Sequence, residues 1–190
     1  MKEKIIIYIH GFASSGQSEK AQIIKKNLST SFRVLTPSLP YIPELAIESL
    51  EDMIKLLKYE LDQEVYLIGS SLGGFYATYL SKIFNLKTVL INPLVDVSDT
   101  DKLYSKIADR ETEYFNCKIE KKNLSKLKNF STTLFKQSNI LLLLQTGDDI
   151  FNYKETMLAF SKSSINVEDG GSHKYEGFER KISLISKFLK

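Results

Sequence analysis

The hydrophobic pattern of the chain consists of short apolar segments separated by longer amphipathic stretches. The short segments are found at 5–9, 32–36, 65–68, 88–92, 140–144 and 165–167. Segments of this length that are rich in Ile, Val and Leu are typical of strands covered on both faces. Between them, apolar residues recur at spacings of three and four, as in Ala46, Leu50, Met53 and Leu57, which predicts helices. The alternation predicts an α/β protein whose sheet has about six mostly parallel strands flanked by helices.

One connection is much longer than the others. The polar stretch 96–137 separates the strands expected at 88–92 and 140–144, and ordinary connections in α/β units are far shorter. We therefore expect a single domain over 1–190 with a small helical cap inserted at about 96–137. Some aromatic residues of this insertion should form an apolar wall over a site, unless they only pack the cap onto the core. They are Tyr104, Tyr114, Phe115, Phe130 and Phe135.

Composition narrows the class of protein. The chain has 190 residues, of which 43% are hydrophobic, which is enough for a core without disulfides or metals. A net charge of +3 with 26% charged residues of mixed sign gives no electrostatic case for a nucleic-acid partner. The single cysteine, Cys117, excludes an intrachain disulfide, and the apolar run 5–9 is too short for a signal-peptide core. No run reaches the length of a membrane span, so we expect a cytoplasmic protein.

A glycine- and serine-rich turn follows the apolar segment 65–68. In Gly69-Ser70-Ser71-Leu72-Gly73, only Ser71 has glycine at both the second position before it and the second position after it. This Gly-x-Ser-x-Gly pattern between a strand and a helix is the nucleophile elbow of α/β-hydrolases, where the central serine sits in a strained turn. The next residues continue as a helix, with Phe75, Tyr79 and Ile83 at helical spacing. The pattern predicts Ser71 as the nucleophile.

Two backbone N–H groups are expected to stabilise negative charge on a substrate oxygen. In this fold one comes from the residue after the nucleophile, here Leu72, and the other from the segment that follows the first strand. That segment reads His10-Gly11-Phe12, so Phe12 is the second candidate for the oxyanion hole. On this interpretation His10 is structural, because the general base lies much later in the chain.

A serine hydroxyl needs a base within hydrogen-bond reach and a third group that orients the base. The chain has two histidines, which leaves His173, in the loop that begins Gly170-Gly171-Ser172, as the predicted base. Asp148 is the preferred acid because it follows the apolar strand 140–144 and precedes the histidine, in the order Ser, Asp, His. The neighbouring Asp149 and the later Asp169 remain alternatives.

These segments together resemble the YqiA-like small bacterial esterases of the α/β-hydrolase superfamily. The resemblance extends over His10-Gly11-Phe12, Ser18-Glu19-Lys20-Ala21, Ile68 to Thr78, Asn92-Pro93, Gln145-Thr146-Gly147-Asp148 and Gly170 to His173. It implies a minimal α/β-hydrolase fold, esterase activity, and Ser71, Asp148 and His173 at the triad positions. It also implies that no metal or organic cofactor is used. The chain departs from the family pattern at Gly16, in place of proline, and at Asp96-Val97-Ser98, in place of a basic segment.

The sequence therefore favours a carboxylesterase that cleaves a small-molecule acyl ester through an acyl-enzyme intermediate. An acyl-CoA or acyl-carrier thioesterase would use the same residues, and a locally basic insertion would suit its substrate. The lysines concerned are Lys118, Lys121, Lys122, Lys126 and Lys128. A non-catalytic interaction protein on this fold is a third hypothesis, because fold alone does not establish function. An intact serine, histidine and carboxylate in the expected order argue against it.

Overall fold

The structure is a computed structural model that describes residues 2–98, 100–107, 121–130 and 136–190. Its described strands form a single parallel sheet in the order β2-β1-β3-β4-β5-β6. The strands are β1 (Lys4–Ile9), β2 (Arg33–Leu35), β3 (Glu64–Ser70), β4 (Thr88–Ile91), β5 (Ile140–Gln145) and β6 (Ser164–Glu168). This topology confirms the α/β class and the parallel sheet predicted from the hydrophobic pattern.

Helices cover both faces of the sheet. They are α1 (Glu19–Leu28), α2 (Pro43–Lys55), α3 (Leu72–Phe84), α4 (Thr100–Ile107), α5 (Lys121–Ser125), α6 (Tyr153–Ala159) and α7 (Ile182–Leu189). A π-helical turn, Leu56–Glu60, extends α2, and 3-10 turns lie at Lys126–Asn129, Gln137–Asn139 and Phe178–Lys181. Buried residues of α1 and α7 pack on one face of the sheet, and those of α2 and α3 pack on the other. The sheet is thus the middle layer of three.

Strand β1 shows why the strand segments are continuously apolar. Ile5, Ile7 and Ile9 point into the core on the α2 and α3 side, whereas Ile6 and Tyr8 point to the α1 and α7 side. Successive side chains of a strand face opposite ways, so a strand with helices on both faces buries every residue. The three-layer arrangement therefore requires a continuous run of apolar residues in β1.

Helix α3 follows the elbow directly, where the sequence predicted a helix. Its buried stripe passes through Tyr76, Leu80 and Phe84, at a spacing of four, and Phe75 is also buried. Ile83, which lies at helical spacing from Phe75 and Tyr79, falls beside this stripe and is 51% exposed. Helical spacing alone therefore predicts the helix and does not select which apolar residues face the sheet.

The described parts of the long insertion contain helices that pack against the core. Leu103 of α4, Leu124 of α5 and Leu127 of the following turn are buried with the residues of α2 and α3. An ion pair of 2.9 Å between Lys126 Nζ and a Glu44 carboxylate oxygen ties this region to the start of α2. Tyr114, Phe115, Phe135, Cys117 and Lys118 lie outside the described residues. The boundary of the cap stays a prediction.

Candidate active site

Ser71 stands at the junction between β3 and α3. Its backbone has φ 55° and ψ −122°, a conformation that residues with a side chain seldom adopt. The surrounding backbone holds it there: Ser71 N donates to Ile91 O at 3.1 Å, and Ser71 O accepts from Gly74 N at 2.9 Å. Strain of this kind persists only where neighbouring contacts enforce it. The turn lifts the hydroxyl clear of the sheet at the carboxyl ends of its strands.

Two glycines make the turn sterically feasible. A Cβ atom on Gly69 would lie 2.6 Å from Ala77 Cβ, and one on Gly73 would lie 2.2 Å from Ile9 O. Neither approach is tolerable for a side chain, which is the physical basis of the Gly-x-Ser-x-Gly pattern. The adjacent Ser70 is buried next to Tyr8. Burial raises the pKa of the Tyr8 hydroxyl to about 12. The two neighbouring serines thus occupy different environments.

The structure brings Ser71, His173 and Asp148 into one hydrogen-bonded chain. His173 Nε2 lies 2.9 Å from Ser71 Oγ, and His173 Nδ1 lies 3.0 Å from each carboxylate oxygen of Asp148. Because an ionised carboxylate only accepts, Nδ1 carries the hydrogen, and Nε2 is left to accept the Ser71 hydroxyl proton. The side chains of His173 and Asp148 are 9% and 3% exposed, so little water competes with these bonds.

Each of the three carboxylates considered from the sequence has a distinct partner. Asp148 contacts the imidazole, and its Oδ1 also accepts from Ile150 N at 2.8 Å and Phe151 N at 2.9 Å. Asp149 Oδ1 instead accepts from the backbone N–H of His173 at 3.3 Å. Asp169 Oδ1 accepts from the Thr146 hydroxyl at 2.8 Å. Asp148 is therefore the carboxylate in position to orient the histidine.

Asn92, the residue directly after β4, forms hydrogen bonds to the loop that carries His173. Its Nδ2 donates to Ser172 O at 3.0 Å and to His173 O at 3.3 Å, and its Oδ1 accepts from Gln145 N at 3.1 Å. The side chain is 1% exposed and its backbone has φ 39°, a value that asparagine tolerates better than most residues. Sequence reasoning gave this residue no role. The available signal was an amide directly after a fully apolar strand.

Gln145, the last residue of β5, also forms hydrogen bonds to the loop that carries His173. Its Oε1 accepts from Ser172 N at 3.1 Å and Glu176 N at 2.8 Å, and its Nε2 donates to Glu176 O at 2.8 Å. Nε2 also donates to Glu168 Oε2 at 3.1 Å, so the buried amide has both its donors and its acceptor in use. Burial raises the pKa of Glu168, but hydrogen bonds from Lys181, Gln145 and Arg180 outweigh this and lower it to about 2.

The other side of Ser71 is formed by the segment after β1. A Cβ atom on Gly11 would lie 2.9 Å from Ser71 Cβ, so the backbone of this segment runs directly against the serine. Within the described part of the chain, the backbone N–H groups of Phe12 and Leu72 donate to no protein acceptor. Two such donors beside a serine can bind an oxygen that becomes negatively charged. Their role as an oxyanion hole remains a prediction.

His10 is engaged by backbone groups at both ring nitrogens. Nδ1 donates to Gly11 O at 2.8 Å, and Nε2 accepts from Leu39 N at 3.0 Å. Burial lowers the pKa of His10, and the hydrogen bond to Gly11 only partly offsets this, so the neutral ring is favoured. The side chain therefore pins the loop that follows β2 to the end of β1, which fits the structural role expected for it.

A small cleft opens beside the two free N–H groups. Its lining includes Phe12, Leu39, Tyr41, Leu72 and Tyr76, together with His10 and Gly11. The described lining thus comes from the segment after β1, the loop after β2 and helix α3.

The two described aromatics of the insertion, Tyr104 and Phe130, do not line this cleft. Both pack against the core instead, and the Phe130 ring meets the Tyr79 ring edge-on at 5.2 Å. For these two residues, packing of the insertion onto the core is the observed arrangement.

The described lysines of the insertion are partly neutralised. Lys121 pairs with Asp101 at 2.9 Å and Lys126 pairs with Glu44 at 2.9 Å. These pairs weaken the argument for an anionic substrate. Over the ranges that the structure covers, no group of three or more His, Cys, Asp or Glu side chains is arranged to hold a metal ion. In the same ranges, no helix combines the length and the apolar character that crossing a membrane requires.

The sheet order and the elbow define the α/β-hydrolase fold, and solved structures agree. Est1E from Butyrivibrio proteoclasticus superposes with a TM-score of 0.76 at 13% identity, covering 99% of this chain and 87% of that one. The Pyrococcus furiosus esterase Pf2001 gives a TM-score of 0.72 at 18% identity, covering 99% and 81%. At such identities these likenesses establish the fold.

The chain belongs to the Uncharacterised protein family (UPF0227), whose model matches residues 5–190. A UPF0227 protein of Shewanella woodyi is 29% identical over 195 residues, which cover 98% of this chain and 99% of that protein. The UPF0227 protein YcfP of Escherichia coli O9:H4 is 22% identical over 189 residues, covering 97% and 98%. The resemblance seen in the sequence motifs is confirmed at the level of the family.

Proposed function

We propose that the protein is a serine hydrolase of the carboxylesterase type, which cleaves small acyl esters through an acyl-enzyme intermediate. The observation that carries this proposal is the chain of hydrogen bonds from Ser71 Oγ through His173 to Asp148. It begins at a serine in the strained elbow conformation, and a general base with an orienting acid is what such a serine needs to become nucleophilic.

In the first half of the reaction, Ser71 Oγ attacks the ester carbonyl carbon while His173 Nε2 takes the hydroxyl proton. Asp148 accepts the Nδ1–H hydrogen bond and stabilises the imidazolium that forms. The carbonyl oxygen becomes an oxyanion bound by the N–H groups of Phe12 and Leu72. The tetrahedral intermediate collapses, the alcohol leaves with the proton from His173, and the acyl group stays on Ser71.

In the second half, water takes the place of the alcohol. His173 removes a proton from the water as it attacks the acyl carbon, and the same two N–H groups bind the second oxyanion. Collapse releases the carboxylic acid and returns the proton to Ser71 Oγ. Ester and water are thus converted to acid and alcohol, with His173 unchanged at the end.

Structural neighbours support an ester as the substrate. One solved structure of Est1E has ferulic acid bound, and another neighbour is a monoacylglycerol lipase from Paleococcus ferrophilus. Cleavage of a thioester would require the same groups, but the ion pairs of Lys121 and Lys126 leave that alternative without a specific observation in its favour.

The test is covalent labelling by a fluorophosphonate together with turnover of p-nitrophenyl butyrate. We expect Ser71→Ala to abolish labelling and to lower turnover by roughly a million-fold, as in serine hydrolases whose nucleophile is removed. Ser70→Ala is the matched control, because it removes the neighbouring hydroxyl and should retain labelling. Undiminished labelling of Ser71→Ala would overturn the assignment, and a wild-type protein that neither labels nor turns over would overturn the proposed activity.

A further inference from the structure

The cleft beside Ser71 has a defined position relative to the proposed chemistry. Phe12 and Leu72, whose N–H groups are the candidates for the oxyanion hole, also line the cleft. Gly11, which lines it as well, runs against Ser71. A substrate carbonyl bound at these N–H groups therefore has one of its substituents directed into the cleft.

Proton transfer decides which substituent this is. The leaving oxygen must face His173 Nε2, because it receives its proton from that atom. The acyl chain is attached to the other side of the carbonyl carbon and must extend away from the histidine loop. The cleft is lined by residues of 10–13, 39–41 and α3, and none of its walls comes from the histidine loop or from the turn that carries Asp148. It therefore lies on the acyl side of the serine.

The shape and lining of the cleft limit what it can hold. Its walls are predominantly apolar, and its volume is only about 20 Å³, far below the usual range for ligand pockets. One wall is α3, where Tyr76 follows Leu72 by about one helical turn. The opposite wall is the loop after β2. These features suit an apolar chain of few carbons.

Tyr41 is the residue that restricts the cleft from the loop side. Its half-buried ring meets the Phe12 ring edge-on, with centroids 6.3 Å apart and an interplanar angle of 80°. The loop that carries Tyr41 is held by the bond from Leu39 N to His10 Nε2 and by a 3.1 Å bond from Gly16 N to Ser38 Oγ. The ring is thus supported from two sides, by a packed aromatic neighbour and by an anchored backbone.

From this geometry we infer that the cleft is the acyl pocket and that Tyr41 sets its length, so that the substrates are esters of short, apolar acyl groups such as acetyl to butyryl. This inference rests on the proposed esterase function and adds the substrate class. It assigns specificity to the loop after β2 and not to Tyr104 and Phe130, the described aromatics of the long insertion.

The test is a panel of p-nitrophenyl acetate, butyrate and octanoate, measured as kcat/KM. The wild-type protein should prefer acetate and butyrate over octanoate. Removal of the ring in Tyr41→Ala should raise the ratio of octanoate to acetate kcat/KM by about tenfold or more, the effect expected for added apolar room in a pocket. Tyr41→Phe keeps the ring and should retain the parent profile. Tyr41→Leu is a second variant that opens the cleft with less loss of packing.

Two further tyrosine variants serve as matched controls. Tyr104→Ala removes an aromatic of the insertion, and Tyr59→Ala removes one that is 63% exposed on the turn after α2. Both should keep the parent acyl profile. If Tyr104→Ala changes the profile while Tyr41→Ala and Tyr41→Leu do not, the pocket is wrongly assigned. Fluorophosphonate labelling separates this failure from loss of the proposed function, because a labelled enzyme with an unchanged acyl profile contradicts only the pocket.

Discussion

The two sides of Ser71 are built in opposite ways. On the histidine side, the N–H and C=O groups of Ser172 and His173 all bond to side chains, those of Asn92, Gln145 and Asp149. On the side of the cleft the walls are mainly apolar, and the loop after β2 is held by bonds from Leu39 N to His10 Nε2 and from Gly16 N to Ser38 Oγ. A proton-transfer group must be placed within a fraction of an ångström, whereas an apolar chain needs only a space of suitable size. Directional hydrogen bonds are therefore concentrated on the side of Ser71 where the placement of a group matters most.

The largest effect on the histidine side should come from the carboxylates. We expect Asp148→Asn to lower kcat by about ten-thousand-fold, because the imidazole loses the acceptor that selects its tautomer. Asp149→Asn keeps an oxygen that can accept from the backbone N–H of His173 and should have a much smaller effect. Steady-state kinetics on p-nitrophenyl butyrate measures both. A crippled Asp149→Asn beside a nearly normal Asp148→Asn would show that the two roles are reversed.

A smaller loss of kcat should follow from removing the hydrogen bonds that Asn92 makes to the loop carrying His173. Asn92→Ala takes away two donors and one acceptor, and a displacement of the histidine loop by about 1 Å can cost a hundredfold in kcat. KM should change little, because Asn92 does not line the acyl cleft.

The matched control for this variant is Asn85→Ala. Asn85 also has a left-handed backbone, with φ 51°, but lies at the far end of α3, where its side chain accepts from Asn139. It carries a similar conformational penalty without any contact to the histidine loop. Equal losses of kcat in the two variants would mean that backbone strain, and not the positioning of His173, explains the effect of Asn92.

The smallest effect concerns His10 on the acyl side. Burial lowers its pKa in the folded state, so the neutral ring stabilises the fold above the unfolded pKa of about 6.5. That contribution is lost as the pH falls below this value through the lower folded pKa. Thermal unfolding of wild type and His10→Gln between pH 8 and pH 5 should converge toward the acid end. A constant difference across this window would contradict the titration of His10.

The pattern of the sequence was sufficient for the features that depend on neighbours along the chain. Alternating apolar segments predicted the parallel sheet, since each strand must bury both faces between helices. The glycine spacing around Ser71 predicted the elbow, because clashes at Gly69 and Gly73 are local. The preference for Asp148 over Asp149 rested on strand position, and the structure brings Asp148 to the imidazole through the short turn after β5.

Features that depend on distant parts of the chain could not be predicted in the same way. Asn92 and Gln145 lie at the ends of two separate strands, and only the assembled sheet brings them under a loop that begins at Gly170. The cleft beside the elbow is lined in part by Leu39 and Tyr41 of the loop after β2, to which the sequence argument gave no role. Neither loop has a periodic pattern that would show which of them faces the serine.

The long separation of Ser71 and His173 along the chain has a consequence for the order of folding. The elbow is built from β1, β3, α3 and the end of β4, whereas His173, 102 residues further on, is also held by groups that follow β5. Contacts between distant segments form late, because a long loop must close before they are gained. In a growing or refolding chain, the elbow around Ser71 should therefore form before His173 is placed beside the serine. We expect the hydroxyl to remain chemically inert until the last strand has paired.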